Sequence, residues 1–124
     1  AMSWKRDYPL KQTGAPDEVL PQDVLETLTR LTDGEAVLTT EVGQHQMWAA
    51  EYYTFRKSRH FITSGGLGTM GFGLGAAIGA KTAQPDQIVV NCAGDGSFHM
   101  NCAELSTLAR YNIPVVELIF DNRT

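Results

Sequence analysis

Apolar positions follow two rhythms along this chain. Between residues 21 and 34, Val24, Leu25, Leu28 and Leu31 fall at i, i+1, i+4 and i+7, the stripe of a 3.6-residue helix. Pro21 suits a first helical turn, and Asp33-Gly34 suits its end. Elsewhere apolar residues cluster in short runs. "EAVLTTEV" (35–42), "HFITS" (60–64), "DQIVVNCAG" (86–94) and "IPVVELIF" (113–120) predict strands. Between them, "GQHQMWAAEYYTF" (43–55) predicts a loop passing into a helix, and the glycine stretch after residue 64 predicts a helix to about residue 83. "NCAELSTLARYN" (101–112) predicts an amphipathic helix with Leu105, Leu108 and Ala109 inward. Residues 1–20 hold Gly14 and two prolines without periodicity, and predict an extended lead-in ahead of one domain at 21–124.

Strands alternate with helices, and the last two strands are apolar along most of their length. Strands buried on both faces belong to parallel sheets covered by helices. The expected fold class is α/β, an open, doubly wound, mostly parallel sheet with helices on both faces. Ligands of such sheets bind outside the carboxyl ends of the strands. "GQH" (43–45), "SGGLGTM" (64–70), "GDGSF" (94–98) and "DN" (121–122) should therefore share one rim.

Composition narrows the classes. The chain has 124 residues, 43% hydrophobic and 19% charged, with net charge −4 and no run of lysine or arginine. That balance argues against a nucleic-acid or anionic-membrane surface. Cys92 and Cys102 form no C-x-x-C, and are expected as reduced thiols of a cytoplasmic protein. The longest nearly apolar run, 70–80, is about half a membrane span, and no signal peptide is expected.

The candidate chemistry starts at Gly94-Asp95-Gly96-Ser97. A carboxylate stands at a strand end between glycines, which let the backbone approach a ligand, and a helix start follows, which favours an anion. A carboxylate repels an anion unless a cation stands between them. Mg²⁺ meets that need with oxygen ligands and substrate phosphates. Asn122 lies one helix and one strand after Asp95, which returns it to the same rim as a second oxygen ligand. The plainer alternative makes Asp95 a helix N-cap and Asn122 a turn residue. Separately, "GLGTMG" (66–71) matches the dinucleotide pattern G-x-G-x-x-G, and Asp95 follows Gly71 at about the distance of a ribose-binding acid.

"GDGSFHMNCAELSTLARYNIPVVELIFDN" resembles the G-D-G…N-N motif of thiamine-diphosphate enzymes. "TTEVGQHQMWAA" and "FITSGGLGTMGFGLGAAIGA" make the chain similar to acetohydroxyacid (acetolactate) synthase large subunits, from about Trp4 to the last residue. The resemblance implies the diphosphate-binding, C-terminal domain of that family, its N-terminal part. It implies Mg²⁺ held by Asp95, Asn122 and the Thr124 carbonyl. Thiamine diphosphate would lie against Gly43, Gln44, His45, Gly94, Gly96 and Ser97. The Gly68 carbonyl would accept from its pyrimidine amino group, and Met70 would sit under its bend. The implied reaction decarboxylates pyruvate and passes the two-carbon unit to a second 2-keto acid, for branched-chain amino-acid synthesis. The activating glutamate and the FAD site are implied on domains outside these residues, so no catalytic residue is expected here and the chain alone is expected to be inactive. A homo-oligomer and a regulatory small subunit are implied as partners.

Three positions depart from the family pattern: Asp121 replaces the first Asn of the usual pair, Gly75 stands where proline is usual, and Glu41 stands where a small or acidic residue is common. Glu117, alone in an apolar strand, needs a partner or an exposed end. Gly71, Gly75 and Gly79 recur every four residues and predict a glycine face of a helix lying close on the sheet. Three other functions compete: another thiamine-diphosphate decarboxylase or carboligase, an NAD-dependent dehydrogenase fragment, and a non-catalytic assembly module.

Overall fold

A computed structural model describes Trp4, residues 7–10, 13–15 and 17–122. Helix α1 spans Pro21–Thr32, with proline in its first turn and Asp23 and Arg30 placed to suit the helix dipole. It ends on Asp33 and Gly34, both left-handed, whose N–H groups donate to the Thr29 carbonyl. Leu25 is fully buried, but Leu31 is 75% exposed, so the apolar stripe is shorter at its C-terminal end than its spacing predicts. In the lead-in, the Tyr8 N–H donates to the Trp4 carbonyl and the two rings lie 5.2 Å apart, tilted by 39°.

Four parallel strands follow: β1 Val37–Thr40, β2 Phe61–Thr63, β3 Val89–Gly94 and β4 Val116–Phe120, in the order β2-β1-β3-β4. Helix α2 (Gln44–Tyr52) connects β1 to β2, and α3 (Gly73–Ala83) connects β2 to β3. A short helix α4 (Asp95–His99), a 3₁₀ turn (Cys102–Glu104) and α5 (Leu105–Tyr111) connect β3 to β4. One face of the sheet packs Leu38, Val90 and Cys92 on Leu25, Ala49 and Tyr53; the other packs Val37 and Val89 on Ala77. The fold is thus the expected α/β sheet with helices on both faces.

The glycines of α3 act differently from expectation. Gly71 precedes the helix, and a Cβ on Gly75 or Gly79 would meet little or nothing within 4 Å. The close contact is at Gly73, where a Cβ would fall on Asn91 Oδ1 and lie 2.7 Å from both the Glu41 nitrogen and the Thr40 carbonyl carbon. Gly73 and Ala77, one turn apart, are the positions pressed on β1 and β3.

The C-terminal part is less buried than its apolar run predicts. Among the described residues β4 is an edge strand, with Val116 and Ile119 exposed, and none of α5 is fully buried. Leu105 and Ala109, expected inward, are exposed and Leu108 is half-buried, because no described element covers that flank of the sheet. Glu117 does find a partner. Thr39 Oγ1 donates to Asn91 Oδ1 at 3.0 Å, and Asn91 Nδ2 donates to Glu117 Oε2 at 2.9 Å, a polar chain across three neighbouring strands. Burial pushes the Glu117 carboxyl up to about 7, with the Glu41 charge adding to the rise and the Asn91 donor opposing it.

Two predictions arise from this packing. Gly73→Ala should destabilise the chain by about 2–4 kcal/mol in urea unfolding, since backbone must move. Gly79→Ala, in open space on the same helix, should stabilise it by about 0.5–1 kcal/mol. For Glu117 the raised carboxyl pKa means that the folded state holds the proton more tightly than the unfolded one. Its contribution is therefore complete below about 4.5 and lost as pH rises through about 7. The urea midpoint should fall across that window by the equivalent of about 1–2 kcal/mol, and Glu117→Gln should flatten the fall.

Candidate functional site

The topology fixes where a ligand crevice lies. From β1 the chain leaves toward β2, and from β3 it leaves toward β4 on the other side. The connections part at the carboxyl ends of β1 and β3, the switch point of a doubly wound sheet. A cleft of about 210 Å³ opens there, lined by Gln44 and His45 after β1, Gly94 and Asp95 after β3, and Asp121 and Asn122 after β4, with Pro21, Trp48 and Phe120. A larger hollow, about 790 Å³, lies between the lead-in, α1 and α2 and contains none of the predicted site residues.

His45 is wedged into this junction. It is buried in the first turn of α2, where a Cβ on Gly43 would come within 2.7 Å of its ring and a Cβ on Gly94 within 2.9 Å. These two glycines therefore make room for an imidazole. The ring hydrogen-bonds the Glu41 backbone, while Nε2 is buried without a hydrogen-bond partner among the described residues. Burial lowers the His45 pKa, and the Glu41 backbone and the Asp95 charge work against that shift.

Asp95 is the first residue of α4 and half-buried, with Gly94 as the N-cap. Ser97 is buried, and its hydroxyl donates to the Gly94 carbonyl at 3.1 Å while accepting the Gly94 N–H at 3.2 Å. It closes the turn rather than presenting its hydroxyl outward. Gly96 is exposed, with open space where a side chain would stand. Asn122 is exposed at the cleft edge. Thr124 lies outside the described residues.

Gly68 and Met70 do not line the cleft but stand beside it. Gly68 is left-handed, and a Cβ there would touch Val42, just before the Gly43–His45 turn. Gly71 packs near Met100 and Asn101, beyond α4. Met70, between them, is 41% exposed. Three of the four rim segments thus border the cleft, and the glycine loop, expected on the same rim, contributes none of its lining.

The residue that sequence reasoning passed over is Glu41. It is 1% exposed, and its carboxylate accepts the Gly71 N–H at 2.5 Å and the Leu74 N–H at 3.2 Å. It thereby occupies the N-terminus of α3, where a dinucleotide's pyrophosphate would have to sit. The glycine loop also follows β2, two strands from the strand that ends in Asp95, whereas a ribose-binding acid belongs on the neighbouring strand. The G-x-G-x-x-G match is thus not a dinucleotide site. A carboxylate in the sequence "TTEVG", ending a strand, was the available signal.

A parallel sheet with helices on both faces and a cleft at its switch point defines a doubly wound domain of the α/β class. Residues 41–124 match the family described as thiamine pyrophosphate enzyme, C-terminal TPP binding domain, and the chain belongs to that family. Over 96% of its length it is 51% identical to acetolactate synthase 2, chloroplastic, of Nicotiana tabacum, covering 18% of that protein. Over 97% it is 52% identical to acetolactate synthase isozyme 3 large subunit of Escherichia coli, covering 21% of it. The chain spans about a fifth of the length of these relatives.

The His45 environment gives a direct check. Its imidazole should titrate below the ordinary 6.5 in NMR pH series, and Asp95→Asn, which removes a charge that favours the imidazolium, should lower it further.

Proposed function

We propose that this chain is the thiamine-diphosphate-binding part of an acetolactate synthase, which decarboxylates pyruvate and joins the two-carbon unit to a second 2-keto acid. One observation supports it most: Asp95, Asn122 and His45 converge on one cleft whose lining holds two carboxylates and, among the described residues, no lysine or arginine. A diphosphate enters such a cleft only with a cation between it and the carboxylates. The residues present fit that pair. Asp95 and Asn122 supply hard oxygen donors for Mg²⁺. The buried Nε2 of His45 supplies a polar atom in need of a partner. The open space over Gly96 admits phosphate oxygens to the backbone.

Within this function, the Gly43–His45 turn and the Gly94–Ser97 turn would hold the diphosphate, with Ser97 acting through its backbone and the turn it closes. The Thr124 carbonyl, outside the described residues, would be the third protein ligand that the resemblance implies. Gly68 and Met70 flank the cleft where the pyrimidine end would lie. When bound, the cofactor supplies the electron sink for loss of CO₂ from a 2-keto acid. The chain's residues bind and orient it. FAD, a homo-oligomer and a regulatory small subunit belong to the same proposal for the whole protein.

Titration calorimetry on the full-length protein tests this. Thiamine diphosphate should bind with Mg²⁺ and at least about tenfold more weakly without it, and NAD should not bind. Asp95→Asn should abolish the magnesium dependence. Binding of thiamine diphosphate that ignores Mg²⁺ in the wild type would sink the clamp assigned to Asp95 and Asn122.

A further inference from the structure

Glu41 sits at a crossing of four segments. Its N–H donates to the Cys92 carbonyl of β3 at 2.9 Å, its backbone holds the His45 ring, and its carboxylate takes the N–H groups of Gly71 and Leu74. Gly71 is gripped from the other side as well, because Asn101 Nδ2 donates to its carbonyl at 3.2 Å. Asn101 is itself fixed to α4 by its N–H to the Phe98 carbonyl. The N–H that Glu41 accepts belongs to the Met70–Gly71 peptide, so its grip sets the plane of the backbone that carries Met70. Gly71 has φ +86°, a conformation that favours glycine and leaves this peptide no side chain of its own to anchor it.

We infer that Glu41 and Asn101 are positioning residues that clamp Gly71 and so fix the Met70 loop relative to the Asp95 turn. Neither side chain lines the cleft. Glu41 connects the loop to β1 and the His45 turn, and Asn101 connects it to the helix that begins at Asp95. The loop and the metal turn are thereby held as one body, through a single glycine. The inference rests on the proposed function for what the loop meets, while the clamp itself rests on the hydrogen bonds.

The test uses the full-length protein with Glu41→Gln, which keeps one acceptor but puts an amide donor against the second N–H, and Asn101→Asp, which keeps the size but loses the donor. Tyr53→Phe, which removes the hydroxyl bonded to Thr32 at 2.8 Å far from the loop, is the control for plain loss of stability. Amide hydrogen exchange at Gly71 and Leu74, without cofactor, should accelerate roughly tenfold in Glu41→Gln, with β1 and β3 unchanged. The dissociation constant for thiamine diphosphate with Mg²⁺ should rise roughly tenfold in both clamp variants and stay unchanged in the control. Glu41→Ala, if it folds, should exceed Glu41→Gln in both readouts. Unchanged exchange in Glu41→Gln overturns the clamp. Faster exchange with unchanged cofactor affinity overturns the positioning role. Wild-type protein that binds no thiamine diphosphate overturns the proposed function and the cofactor half of this inference, while the exchange result still decides the clamp.

Discussion

The start of α3 lies closer to the end of β1 than any side chain on the helix would permit, and much of the site depends on that approach. Gly73 makes it possible by having no Cβ between the helix and the Thr40–Glu41 backbone. A helix brought so near a strand end has its first N–H groups buried, and buried donors need acceptors. Glu41 supplies two oxygens at that spot. The steric condition and the electrostatic one are met by residues 32 positions apart, on elements joined only through α2 and β2. A carboxylate buried this deeply would be costly by itself; two N–H donors and the positive end of α3 offset the cost.

The same junction explains the position of the cleft. Because β1 and β3 are neighbours whose connections diverge, the His45 turn and the Asp95 turn face each other across the switch point. The gap is narrow, and the His45 ring fills part of it. Gly43 and Gly94 are small to admit that ring, with contacts that any Cβ would violate. Glycine-rich turns at a phosphate site are usually explained by the ligand's approach. Here two of them are already demanded by the protein's own packing, before any ligand is considered, whereas Gly96 faces open space and leaves room for one.

Much of this was legible in the sequence because it depends on order and spacing. The alternation of runs sets a parallel sheet, and parallel sheets place every strand end on one rim, so Asp95 and Asn122 could be brought together without coordinates. What escaped depends on side-chain direction. Gly71, Gly75 and Gly79 share a helical period, but the helix begins at Gly73 and turns a different set toward the sheet. Glu117 looked misplaced because its partner, Asn91, lies on the neighbouring strand and is itself an inward polar residue inside an apolar run. Burial of β4 was overestimated because an apolar run reports what a strand can bury and not which neighbours cover it; that flank meets no described element. Hydrophobic patterning alone carries no information on either point.

Glu41 and the cleft carboxylates divide the electrostatic work by what faces them. Glu41 points inward at backbone N–H groups and is satisfied by the protein. Asp95 lines the cleft with Asp121 and Asn122, where the chain sets against it a histidine whose own charging is disfavoured by burial. A fixed lysine or arginine at this place would bind a phosphate unaided and would pair with Asp95 when no ligand was bound. Under the proposed function, a cleft that holds carboxylates and, among the described residues, no lysine or arginine would make the anion's affinity conditional on a divalent ion that arrives with it. The N-terminus of α3, behind the fingerprint, is closed by the protein's own carboxylate, and under the proposed function the anion would go instead to the turn that begins at Asp95.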